Sequence, residues 1–115
     1  MSKAMILALA TALDITATGP QAPVLLNTSP FAGGQGKNAF LNLAAVPAGG
    51  GVIKVQGNPT AGPSAPADAD ANWTDIVTID ANAPLRQEIE LPLWIRTNVT
   101  TVGTGTLTAN LEGVQ

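Results

Sequence analysis

The chain has 115 residues, of which 11% are charged, with a formal net charge of −3. That length holds one core and not two. The five basic residues, Lys3, Lys37, Lys54, Arg86 and Arg96, are scattered, which argues against nucleic acid or an anionic membrane as the main partner.

Nineteen Ala, thirteen Thr, twelve Gly, nine Pro and eight Asn set the character of the chain. Thr branches at Cβ and fits a pleated surface, whereas Gly, Pro and Asn favour turns. Many short strands joined by tight connections are expected. Net stability for a chain of this size is on the order of 6–17 kcal/mol. With so little charge, either the outer face is simply rich in Thr or much of it is covered in an assembly, because obligate interfaces are depleted in Lys, Glu and Asp.

Lys3–Thr18 opens the chain. Its apolar run is ambiguous by periodicity, but Asp14-Ile15-Thr16-Ala17-Thr18 alternates and stops at Gly19-Pro20, so one long strand or two is expected. Ala4–Leu13 also looks like a weak secretory signal. It is far short of the roughly 20 residues that span a bilayer, and it is read as strand. Its apolar residues point to both faces. Residues 1–20 are therefore expected to act as an N-terminal arm or edge strand used in assembly, with Met5, Ile6, Leu7, Leu9 and Leu13 as contacts.

Ala22–Thr28 reads as a second strand, Ser29–Lys37 as a loop, Asn38–Val46 as a strand and Pro47–Gly51 as a turn. Val52–Gln56 alternates apolar and polar. Gly57–Asn72 holds three Pro, two Asp and no large apolar residue, which predicts an exposed loop. In Trp73–Ile79 the alternation puts Trp73, Asp75, Val77 and Ile79 on one side. Asp80–Pro84 is a turn. Leu85–Leu91 and Leu93–Thr100 are strands around Pro92, which is expected at a bulge or edge. Thr101–Gly105 turns into a last strand, Thr106–Leu111, with Leu107, Ala109 and Leu111 inward. The expectation is an all-β chain: one antiparallel β-sandwich, jelly-roll or Ig-like, of about eight strands.

The residue types that do chemistry are scarce. There is no His, Cys or Tyr, so the commonest general base, the soft nucleophile, the phenolic acid and the Ser-His-Asp triad are all missing. Without Cys there is also no disulfide framework. Glu88 and Glu90 share a strand face and read as a solvated edge or as partners of Arg86 or Arg96. Asp68, Asp70 and Asp75 resemble the start of a calcium loop. However, the loop's sixth position is Trp73 and its twelfth is Ile79, so a polar turn is expected. Gly33-Gly34-Gln35-Gly36-Lys37 lacks the spacing and the following Ser or Thr of a phosphate loop. Asn27, Asn72 and Asn98 open glycosylation sequons, read as chance in a chain rich in Asn and Thr. Trp73 and Trp94 are expected as core anchors. No enzyme activity, cofactor or metal is expected.

The last half of the chain carries a more specific pattern. Val52-Ile-Lys-Val-Gln56-Gly57 leads to Asp70-Ala-Asn-Trp73-Thr74-Asp75, then to Leu91-Pro-Leu-Trp94-Ile95-Arg96-Thr-Asn-Val-Thr100, then to Gly103-Thr-Gly105-Thr-Leu-Thr-Ala-Asn-Leu111-Glu112-Gly113. This resembles β-sandwich modules of tailed-phage virion proteins, including capsid decoration (cement) proteins. The turn before Trp73, which usually contains Gly in those modules, is longer here and carries Pro and Asp. The resemblance implies a protein on the outer surface of a virion, with the major capsid protein as partner and a homo-oligomer, a trimer, as its form. It implies no nucleic acid or membrane partner. A carbohydrate-binding or adhesin-like module of a phage tail or fibre is the alternative, and it requires an exposed Trp. Deleting residues 2–13 is expected to abolish capsid binding and leave a folded domain.

Overall fold

Nine strands run across residues 4–26 and 36–114, which the computed structural model describes. They are β1 (Ala4–Asp14), β2 (Gly19–Pro20), β3 (Val24–Leu25), β4 (Asn38–Leu43), β5 (Val52–Asn58), β6 (Thr74–Ile79), β7 (Arg86–Glu90), β8 (Trp94–Thr101) and β9 (Thr106–Val114). The expected loop at Ser29–Lys37, with the turn at Gly33–Lys37 inside it, and the sequon at Asn27 fall wholly or largely outside the described residues.

The strands pair from the outside of the chain inward. β1 pairs β9, β2 and β3 pair β8, β4 pairs β7, and β5 pairs β6, all antiparallel. The pairs β4–β9 and β5–β8 close two sheets, ordered β1-β9-β4-β7 and β2-β8-β5-β6, with β3 also on β8. A ribbon nested in this way and folded over itself is a jelly roll.

The core lies between the sheets. Leu41, Ile53, Val55, Ile79, Ile95, Val99, Leu107 and Leu111 meet there, all buried. The inward set expected for the last strand, Leu107, Ala109 and Leu111, is buried as its alternation requires.

β1 belongs to this core. It pairs β9 from Ala4↔Val114 to Asp14↔Thr106, with register shifts at Ala8/Ala10 and Ala10/Leu13. Ala12, in the second shift, has φ +47°, and its N–H donates to Thr108 Oγ1 at 3.0 Å. Ala10 is buried, and Leu7, Leu9 and Leu13 pack against the core. Deleting residues 2–13 would therefore remove core side chains and uncover β9. The expectation that such a deletion leaves a folded domain is corrected here.

Two further expectations change. Leu91-Pro92-Leu93 is neither bulge nor edge strand: it carries the chain from β7 in one sheet to β8 in the other. In β6 the pairing steps from Val55↔Val77 to Gln56↔Asp75, leaving Ile76 as an extra residue. That bulge breaks the alternation. Val77 and Ile79 stay with the core, whereas Asp75 turns outward to Gln56 and Lys54.

Candidate interaction surface

The described surface supplies the candidates for interaction. Three parts of this surface are distinctive: the strand edges, a covered sheet face and one loop end.

A sheet edge recruits other strands unless charge, proline or a bulge blocks it. The β7 edge carries Arg86, Glu88 and Glu90. The β6 edge carries Asp75 and the bulge at Ile76. The β2/β3 edge is broken, and Pro20 and Pro23 interrupt its donors. β1 is different: its second half is bulged, but Ala4–Ala8 is regular and bears no charge. The structure separates the contacts expected here. Ile6, opposite Glu112, is 61% exposed on the outer face. Leu7, Leu9 and Leu13 are half-buried and lean inward. Met5 is placed by its backbone pairing with Gly113.

The outer face of the β8 sheet carries residues 59–73, which take in most of the exposed loop expected at Gly57–Asn72; most of these residues are exposed as expected. The segment lies across the sheet as a strap held mainly by polar contacts. Trp94 Nε1 donates to the Thr60 carbonyl at 3.1 Å, and Trp73 Nε1 donates to the Ala67 carbonyl at 2.9 Å. Asn58 Oδ1 accepts from the Thr60 N–H at 2.9 Å, and its Nδ2 donates to Asp70 Oδ1 at 3.3 Å. Arg96, buried at the centre, donates to Gln56 Oε1 at 2.9 Å and to the Asp68 carbonyl at 3.2 Å. Its guanidinium stacks 4.0 Å from the Trp73 ring. Burial lowers the Arg96 pKa, and the Asp68 carboxylate acts the other way.

The tryptophans therefore divide. Trp94 is 6% exposed, but it is buried under the strap and not between the sheets. Trp73 is half-buried and precedes β6, with Arg96 against one face. The three aspartates serve separate purposes: Asp68 faces Arg96, Asp70 caps the strap, and Asp75 accepts from Gln56. They are not grouped as a cation site, and among the described residues no three carboxylates stand together as metal ligands. Sequence reasoning missed Arg96 as the strap's anchor, although its position two residues from Trp94 on one strand face was a usable signal.

On the outer face of the other sheet, Arg86 lies 4.0 Å from the Phe40 ring and meets Glu112 at 2.6 Å. Hydrogen bonds from Arg86 and then Asn42 hold the Glu112 carboxyl below the usual carboxylate range.

The third feature is the end where β4 passes to β5, β6 to β7 and β8 to β9. Four large hydrophobic residues stand exposed among the described residues, and three are here: Val46 at 37%, Leu85 at 51% and Val102 at 48%. The Ala48↔Thr104 bridge ties the β4–β5 and β8–β9 loops, the Gly103 N–H donates to the Ile15 carbonyl at 2.8 Å, and the Leu43 N–H donates to the Leu85 carbonyl at 2.8 Å. The loops contain no Lys or Arg. Their one acid, Asp80, accepts from the Asn82 N–H in a local turn, as Asp14 at the adjacent end of β1 does from Thr16. Sequence reasoning passed over these three residues, because each is a lone apolar residue beside a turn and only the fold gathers them.

A cleft of about 270 Å³ separates β1 from Gln21 and Ala22, with Leu9, Leu13 and Thr97 on its wall. Thr97 is 2% exposed, and its Oγ1 has no hydrogen-bond partner among the described residues. A buried polar atom left unpaired costs about 1–3 kcal/mol. Thr97→Val keeps the shape and removes the orphan. Thermal unfolding is expected to show a rise of roughly 4 °C, the shift for about 1 kcal/mol in a domain near this size; a fall would mean that the hydroxyl is paired.

No protein-family model matches the chain, and neither a curated protein nor a solved structure matches it.

Proposed function

We propose that the chain is a structural, non-catalytic protein of a phage virion, which binds the outer surface of the capsid as a homo-oligomer and stabilises it. The observation that carries the reading is the loop end bearing Val46, Leu85 and Val102, apolar and free of basic residues. Contiguous exposed apolar patches mark contact surfaces, and this end carries three of the four exposed large hydrophobic residues described. The resemblance of Val52–Gln115 to phage decoration modules gives that surface a partner, the major capsid protein. Jelly rolls recur in viral capsids and in lectins, so the fold admits the reading without fixing it. The mechanism is mass action: subunits that bind only the assembled capsid shift the equilibrium toward it.

The carbohydrate-binding alternative needs an open aromatic platform. Trp94 is buried, and Arg96 occupies one face of Trp73, so no observation here favours it.

Cosedimentation with capsids stripped of decoration tests the proposal. The wild-type chain is expected to pellet with particles and raise their melting temperature. A variant carrying Val46→Asp, Leu85→Asp and Val102→Asp is expected to fold and to lose occupancy by about tenfold or more, the equivalent of some 1.4 kcal/mol. Wild-type chain left in the supernatant would sink the reading. Unchanged occupancy by the triple variant would move the contact off the loop end.

A further inference from the structure

Ala4–Ala8 is the one unguarded stretch among the sheet edges described above. It pairs β9 without a register shift, from Ala4↔Val114 to Ala8↔Asn110, and no strand among the described residues pairs its other side. The sequence of this stretch, Ala-Met-Ile-Leu-Ala, is nearly the same in both directions. Antiparallel pairing with itself about a two-fold axis at Ile6 sets Ala4 against Ala8, Met5 against Leu7, and Ile6 against Ile6. Leu and Met exchange with little change of volume. The register therefore meets small with small and large with large at every position.

We propose that this edge is a self-complementary site at which a second copy of the chain adds across a two-fold axis, joining two four-stranded sheets into one continuous sheet. Charge favours the same place. Two copies at −3 each repel, and they approach best where the local field is weakest. The outer-face residues of β1 and β9 beside this edge are Ile6, Ala8, Thr108 and Asn110. Glu112, opposite Ile6, is held by Arg86 at 2.6 Å. The other unbroken edge, β7, bears Arg86, Glu88 and Glu90. Ile6, the most exposed large hydrophobic residue described, is covered by its own symmetry mate.

An edge of this length buries less than the roughly 1,200 Å² of a standard stable interface. The contact is therefore weak in dilute solution and fills where copies are held close together. Isologous pairing closes at two, which departs from the trimer implied by the resemblance. The site does not rest on the capsid reading and is tested on the purified chain without particles.

Ile6→Cys is the direct test. The chain has no other cysteine, and opposed Cα atoms of paired strands lie about 4.5–5.5 Å apart, within disulfide reach. Mild oxidation is expected to convert Ile6→Cys to covalent dimer well ahead of Val102→Cys, a control of comparable exposure at the loop end. Sedimentation equilibrium from about 10 µM to about 1 mM, the range of a weak contact, is expected to show wild-type dimer. Ile6→Lys is expected to abolish it, because the two-fold sets Lys against Lys. Mixing Ile6→Lys with Ile6→Glu is expected to restore it. Ile6 lies outside the core, and unchanged melting temperatures confirm that the variants fold. Equal cross-linking of the two cysteine variants overturns the proposal. So does a wild-type chain that stays monomeric or forms trimers over that range, or an Ile6→Lys chain that associates as the wild type does.

Discussion

Trp94→Ala is expected to lower the free energy of unfolding by about 3–5 kcal/mol, the usual cost of truncating a buried aromatic. Against a total on the order of 6–17 kcal/mol, that is a large fraction for a residue outside the main core. The reason is its position. Trp94 sits on the outward face of β8 beside Asn58, beneath the strap, and its Nε1 donates to the Thr60 carbonyl at 3.1 Å. Truncation leaves a hole between strap and sheet and takes the donor from Thr60. Arg96, two residues along on the same face, then loses the cover that lets it stack on Trp73. The strap is expected to loosen as a unit. Trp73 is the only other tryptophan, so it reports this directly. In Trp94→Ala its fluorescence should shift to the red and become open to an aqueous quencher before the main unfolding transition. A loss below about 1 kcal/mol with Trp73 still protected would mean that the strap stands without Trp94.

The strap also shows where reading the sequence reaches its limit. The strands were legible because burial on one face imposes a period of two, and β4, β5 and β9 obey it. Which strands pair is a long-range property, so the choice between jelly roll and Ig-like stayed open until the β1–β9 and β4–β7 pairs were seen. Residues 59–73 gave no periodic signal, because their hold on the sheet runs mainly through backbone carbonyls and Asn and Asp side chains. Composition correctly indicated that this loop adds no large side chain to a core. It did not show that polar contacts can hold this loop over Trp94 and Arg96. Trp73 was misplaced for a local reason: the extra residue at Ile76 shifts the faces, and a bulge leaves no mark on alternation read from one strand. β1 was ambiguous for a different reason. Its apolar residues serve two faces, with Leu7 toward the core and Ile6 away from it, so no polar face marks the period.

Gly103→Ala is expected to cost about 1–3 kcal/mol, the range for forcing extra volume into a well-packed site, and to weaken particle binding along with stability. Gly103 lies where the β8–β9 loop crosses the β4–β5 loop. A Cβ there would run into the Ala48 carbonyl oxygen and come within 2.8 Å of Gly51 Cα and 2.9 Å of Gly51 N. All three are backbone atoms, so no side chain can rotate away and the loops must part. Parting strains the Thr104 N–H bond to the Ala48 carbonyl, 3.1 Å long, and moves the loops that carry Val46 and Val102. Gly51→Ala is the graded comparison. Its Cβ would meet Gly103 Cα and the tip of the Ile15 side chain, both at 3.1 Å, a milder crowding with a smaller expected loss. The ranking separates two origins of lost binding. The triple aspartate variant should bind weakly while melting normally, because only the contact chemistry has changed. Gly103→Ala should bind weakly and melt early, because the loop end itself has been displaced. Binding that survives in Gly103→Ala despite a lowered melting temperature would show that capsid contact does not depend on how these loops are set.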